Sequence, residues 1–146
     1  MALVQVLTNL PRRQIVHELK AKGGIAGRVI SQSNAKALID EDPGSTQPKY
    51  FTGLTVAQDL QDKGLKLLHD QKRNNDVIVL CPRLEEWIVA AARSERVSLS
   101  TYGLPEEPRA LHRVINLDLR KFERLVKDLV KINSARLRSL RSILNR

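Results

Sequence analysis

An α/β sandwich with a mostly parallel central sheet flanked by helices, extended by a basic amphipathic helix, is the fold this sequence predicts. Three observations predict it. Short apolar runs at 3–7, 35–39, 65–68 and 77–80 alternate with helix-period segments at 11–22, 52–62 and 83–93, as strands joined by crossover helices do. Proline, glycine or asparagine punctuates most of the boundaries between them. From residue 119 onward, apolar residues recur three and four apart with basic residues between them, the period of a helix.

Residues 3–7 are bounded by Thr8, Asn9 and Pro11, which suits a buried strand leading into a helix. Thr8 or Asn9 caps that helix, Ile15, Val16 and Leu19 form its apolar face, and Gly23-Gly24 supplies its left-handed stop. A weaker strand falls at 28–31. A clearer one at 35–39 runs into Asp40-Glu41-Asp42-Pro43-Gly44-Ser45, where proline and glycine force a loop. A short helix is expected over 52–62, capped by Thr52 or Thr55 and followed by Gly64. The runs at 65–68 and 77–80 read as strands on either side of a polar segment whose Asn74-Asn75 suits a turn; hairpin and parallel pairing both fit. Pro82 ends the second strand, and 83–93 continues as a helix burying Leu84, Trp87, Ile88 and Ala91. A loop over 98–108 and a short helix over 109–115 precede the last helix, 119–144. Its stripe is Phe122, Leu125, Val126, Leu129, Val130, Leu137, Leu140 and Leu144, with a break near Asn133-Ser134. Residues 1–95 are read as the α/β core and 96–146 as a helical extension packed on the same domain.

With 146 residues and 42% hydrophobic content the chain can bury one core. A single cysteine excludes an intramolecular disulfide framework, and no run approaches the roughly 18 apolar residues of a membrane span. The first residues lack the basic region and cleavage site of a secretory leader, so a cytoplasmic protein is expected. The net charge of +9 points to a polyanionic partner. That charge is unevenly placed: residues 1–108 hold fourteen Lys and Arg against thirteen Asp and Glu, whereas 109–146 hold eleven against three. The last helix therefore has two readings. It is an arm for DNA or RNA, with Arg136, Arg138 and Arg141 on phosphates, or a packing helix whose stripe covers the sheet, a protein partner or a second copy in a homodimer. Phe122 is its one aromatic, too little anchoring for a membrane surface.

In open α/β sheets, functional groups gather at the carboxyl ends of strands. Asp40 and Asp42, two apart at such an end, share a side. Paired carboxylates of this kind suit Mg²⁺, which takes one or two of them together with phosphate oxygens; the alternative is that Asp40, Asp42 and Ser45 cap a turn. Glu85 and Glu86 open a helix, where the dipole favours negative charge, and Glu85 projects over the same sheet edge if the two strands are neighbours. Lys49 and Arg83 are candidates to neutralise phosphate. His17, His69 and His112 lack paired metal-ligand spacing, Cys81 reads as a small buried hydrophobe rather than a nucleophile, and Gly23-Gly24 with Gly27 is neither a Walker loop nor a dinucleotide fingerprint.

An opening strand and helix, then Ala37-Leu38-Ile39-Asp40-Glu41-Asp42-Pro43-Gly44, then Pro82-Arg83-Leu84-Glu85-Glu86-Trp87-Ile88: this order resembles a small stand-alone Toprim-like domain of bacteria and archaea, a family often found among phage-resistance genes. Asp40 and Asp42 match the family's Asp-x-Asp, and Leu84-Glu85-Glu86-Trp87 its acidic helix start. The resemblance covers about residues 1–95. It implies Mg²⁺-assisted phosphodiester chemistry in which Asp40 and Asp42 hold the ion and Glu85 holds it or orders water. The chain departs from the pattern at its first strand, where Thr8 in Val6-Leu7-Thr8-Asn9 replaces the family's glutamate and no carboxylate comes before Glu18. Two functions follow as expectations: a nucleic-acid-binding or -processing protein, such as a defence nuclease, or a non-catalytic interaction or dimerisation protein on a degenerate Toprim-like fold.

Overall fold

The computed structural model describes residues 2–16 and 21–146; His17, Glu18 and Leu19, and with them part of the helix expected over 11–22, lie outside the described residues. The chain forms two compact units, residues 17–84 and residues 1–16 with 85–146, a division that does not follow a boundary at residue 95.

The first unit carries a sheet. Its elements are α1 (Ala21–Ile30), β1 (Lys36–Asp40), α2 (Lys49–Thr52), β2 (Thr55–Leu60), β3 (Leu65–Asp70) and β4 (Asn75–Leu80), with strand order β1-β4-β3-β2. Only β1 and β4 pair in parallel; β4 with β3 and β3 with β2 are antiparallel. The α/β class holds, and the mostly parallel sheet is corrected to a mixed one. The reason lies in the connections. Four residues separate β3 from β4, with Asn74 at φ 54, whereas a parallel crossover needs a dozen or more. The expected helix at 52–62 is also replaced: α2 ends at Thr52, and Thr55–Leu60 pairs as an edge strand with a register shift between Val56 and Gln58. Gly23-Gly24 does not stop a helix, and 28–31 is not a strand, because α1 runs through both.

Ala26 and Val29 of α1 and Phe51 of α2 pack with Ala37, Ile39, Leu68, Val77 and Val79 against one face of the sheet. On the opposite face Leu65, Leu67, Ile78 and Leu80 are also buried. Burial on both faces explains why β4 reads as an unbroken apolar run. Asn75, fully buried at the start of β4, accepts the Ala35 N–H at 2.9 Å and donates to the Val29 and Gln32 carbonyls at 3.0 Å each, tying the α1–β1 connection to the strand beside it.

The second unit is helical among the described residues. It comprises α3 (Ala2–Leu7), α4 (Leu84–Ser94, of which Leu84 belongs to the sheet unit), α5 (Pro108–Leu117), α6 (Leu119–Lys131) and α7 (Ala135–Leu144), with 3-10 turns at Arg12–Gln14 and Leu99–Tyr102. The strand expected at 3–7 is thus a helix. An apolar run of this length does not distinguish the two by period; here Leu3 and Leu7, one turn apart, are buried where α3 packs on α6 and α7, and Asn145 Nδ2 donates to the Leu7 carbonyl at 3.1 Å. The break near Asn133-Ser134 is present. Asn133 takes φ 60, and the Ser134 N–H reaches Leu129 O at 2.9 Å while the Asn133 N–H reaches Val130 O at 3.0 Å, the paired bonds of a Schellman stop. Of the expected stripe, Phe122, Leu125, Val126, Leu129, Leu137 and Leu140 are buried, Val130 and Leu144 are half-buried, and Ile143 rather than Leu144 is buried at the end of α7.

Candidate functional site

β1 and β4 are parallel neighbours, with Asp40 opposite Leu80, so their carboxyl ends open side by side, the strand adjacency on which the Glu85 expectation depends. The loop after β4 is stitched to this end. The Glu41 N–H donates to Leu80 O at 2.9 Å, the Asp42 N–H to Pro82 O at 3.0 Å and the Leu84 N–H to Asp40 Oδ1 at 3.0 Å. Asp40 therefore takes up the N–H of Leu84, the last residue of the sheet unit and one of the donors a helix start leaves open. Asp42 opens a turn in which the Ser45 N–H returns to the Asp42 carbonyl at 3.1 Å. Pro43 and Gly44, the latter at φ 85, fill the two central positions as a type II turn demands.

The charge at this corner is compensated from within the chain. Asp42 Oδ1 accepts Arg83 Nε at 2.9 Å, and Lys22 Nζ lies 3.6 Å from Asp42 Oδ2. Lys22 is held in place by the Glu41 carbonyl at 3.0 Å and Gln47 Oε1 at 2.8 Å, and Gln47 Nε2 donates to the same carbonyl at 2.9 Å. A divalent cation at Asp42 would meet two positive side chains already on the carboxylate. This donor set does not fit Mg²⁺ in the arrangement observed. Among the described residues no group of three or more His, Cys, Asp or Glu is placed to hold a metal ion.

Glu85, the third expected ligand, is engaged elsewhere. Only 8% exposed, it accepts His112 Nδ1 at 2.6 Å, and Asn116 Nδ2 donates to His112 Nε2 at 3.1 Å. With Nε2 accepting, the neutral ring carries its proton on Nδ1, toward Glu85. His112 itself is exposed, a buried carboxylate orienting a surface imidazole. Neither Lys22 nor His112 carried a spacing signal, since each meets its partner across elements far apart in sequence.

The phosphate candidates divide. Arg83 is committed to Asp42, Lys49 is exposed at the start of α2, and Arg136 is half-buried on α7. Arg138 and Arg141 are exposed on α7, as are Lys127 and Lys131 on α6, and among the described residues no carboxylate lies within ion-pair distance of these four. Two nearby acids have other partners: Asp128 accepts the Tyr102 hydroxyl at 2.6 Å and Asp118 caps α6 at the Arg120 N–H; Glu123, one turn before Lys127, makes no ion pair with it. The Cys81 thiol is pushed up to about 11, by burial first and then by the charge of Glu41, so at neutral pH it is protonated and not a nucleophile. His69 pairs with Asp76 at 2.8 Å across β3 and β4.

The first strand of the Toprim-like pattern has no counterpart among the described residues, since Ala2–Leu7 forms α3 and Thr8 turns its hydroxyl back to Val4 O at 2.9 Å. No family model, no curated protein and no solved structure matches the chain. Among the described residues no helix is long and apolar enough to cross a membrane.

Proposed function

We propose that the chain binds the phosphate backbone of DNA or RNA through the outer faces of α6 and α7. One observation supports this over self-association by the same helices: most of their apolar stripe is already buried, while Lys127, Lys131, Arg138 and Arg141 face solvent with no acidic partner among the described residues. With most of the stripe buried, the exposed large apolar residues here lie at or beside the ends of these helices, Leu117, Leu119 and Ile132, whereas the cations, with no acidic partner among the described residues, offer a polyanion several contacts along the outer faces. The reading is of binding, not hydrolysis, because Asp40, Asp42 and Glu85 are each occupied by groups of the chain itself.

The test is a salt titration of duplex binding. If these four side chains each neutralise one phosphate, log K falls against log salt with a slope of roughly −3 to −4. Replacing all four by glutamine should flatten the slope and abolish binding at moderate salt. Binding that is absent, salt-independent or unchanged in the fourfold variant refutes the proposal.

A further inference from the structure

We infer that the corner between α6 and α7 holds a single phosphate group, a phosphodiester of the bound strand, in a notch of about 60 Å³ lined by Val130, Asn133, Ser134, Leu137, Arg138 and Arg141. The inference deepens the nucleic-acid reading and rests on it for the source of the phosphate. Ser134 carries it. The residue is 1% exposed, and its hydroxyl has no hydrogen-bond partner, although buried polar atoms are nearly always paired. Its backbone is fully used, the N–H by Leu129 O and the carbonyl by the Arg138 N–H. As the N-cap of α7 it would normally turn its hydroxyl onto the helix's first N–H groups, and it makes no such bond.

The surroundings suit an oxyanion. Ser134 precedes a ten-residue helix whose first turn presents partial positive charge. Arg138 and Arg141 lie one and two turns further along the face that Ser134 begins, both exposed, with no carboxylate at ion-pair distance among the described residues. Glu95 is the one acid at this helix end; its Oε1 takes the Ala135 N–H at 3.2 Å, and it does not line the notch. A phosphodiester's non-bridging oxygens would receive the Ser134 O–H and the two guanidinium groups, which match phosphate geometry in a fork. Asn133 in its left-handed turn holds the two helices at the angle that forms the notch.

The experiment uses the full chain and two probes, inorganic phosphate followed by amide chemical shifts, and a short duplex followed by anisotropy at fixed salt. Phosphate should move the amides of 134–138 saturably, and Ser134→Ala or Arg138→Gln with Arg141→Gln should remove that response. On duplex, Ser134→Ala should weaken binding about threefold to tenfold. The double arginine variant should weaken it roughly tenfold or more, and more than the charge-matched Arg109→Gln with Arg113→Gln on α5. Equal losses from the two arginine pairs, with duplex binding otherwise intact, overturn the notch and leave the wider reading standing. A saturable phosphate response without duplex binding supports the notch as a site for free phosphate and refutes its assignment to a nucleic-acid strand. Phosphate that moves none of these amides in a chain with native circular dichroism overturns it outright.

Discussion

Replacing Asn75 by alanine is expected to destabilise the sheet unit by about 3 kcal/mol. The side chain is wholly buried, and its amide makes three good hydrogen bonds, one accepted from Ala35 N–H and one donated to each of the Val29 and Gln32 carbonyls. Alanine removes all three. The Val29 carbonyl keeps a second partner in the Gln32 N–H at 3.0 Å, so its loss is only the net worth of a bond, about 1 kcal/mol. The Ala35 N–H has no such substitute and, half-buried, loses roughly 1–2 kcal/mol; the Gln32 carbonyl lies in an exposed turn that water can reach. Against a typical total of about 5–15 kcal/mol this is a large fraction. With a urea dependence of about 1–3 kcal/mol per molar, the midpoint should fall by at least roughly 1 M. Hydrogen exchange at the Asp76 amide, which donates to Ala35 O at 3.0 Å, reports on the sheet unit directly. Asn75→Asp keeps the acceptor but sets a carboxylate against two carbonyls, and should be no more stable than the alanine variant. An aspartate variant as stable as the parent, or an alanine variant within about 0.5 kcal/mol of it, would refute the reasoning.

Gly27 lies inside α1 with open space where a Cβ would stand and no left-handed backbone, so Gly27→Ala should stabilise the sheet unit by about 0.5–1 kcal/mol in urea unfolding; a loss would show that the glycine is needed there. Alkylation of Cys81 should be slow at neutral pH and accelerate only as pH approaches about 11, and a rate that levels off near pH 8 would contradict its burial. Burial alone would raise the carboxyl of Asp70, but the Tyr50 hydroxyl, the Arg73 guanidinium and the Arg73 N–H outweigh it and hold it below its ordinary 3.8. Its stabilising contribution is therefore complete above pH 3.8 and is lost as pH falls through the lower native value. Acid titration of unfolding should show a shallower loss below that pH in Asp70→Asn than in the parent; identical acid limbs would count against the linkage.

Elements whose local signal agrees with their surroundings could be read from the residues alone: β1, β3 and β4 as short apolar runs bounded by turn residues, the helix through Trp87 by its period, and the basic pair of helices with their break at Asn133. Elements whose local signal was outvoted could not. Gly23-Gly24 reads as a stop, yet the apolar face of Ala26 and Val29 has a sheet to cover, and that burial outweighs the cost of glycine in a helix. Thr55–Leu60 reads as a capped helix because its exposed edge position leaves little alternation to see. At the site, Asp40 and Asp42 were legible as neighbours at a strand end, since a period of two fixes their side. The partners of Asp42 were not, since Lys22 arrives from α1 and is held by Gln47 from the loop before α2; nor was that of Glu85, since His112 lies 27 residues away.

The hydrogen bond from Asn145 to Leu7 spans 138 residues, and it sets an order of events during synthesis. The sheet unit is complete in sequence once residue 84 has been made, and its longest strand pairings can form while the remainder is still being added. The opening helix has to wait. Leu3 and Leu7 gain their α6 and α7 neighbours only after the residues of those two helices have emerged, so residues 2–7 stay apolar and unburied by them while the intervening chain is added. Closing so long a loop is entropically dear and slow relative to the local hairpin. A nascent-chain factor that shields apolar segments would find a client in residues 2–7 during that interval, and a ribosome stalled before α7 would leave the segment without that helix to pack on.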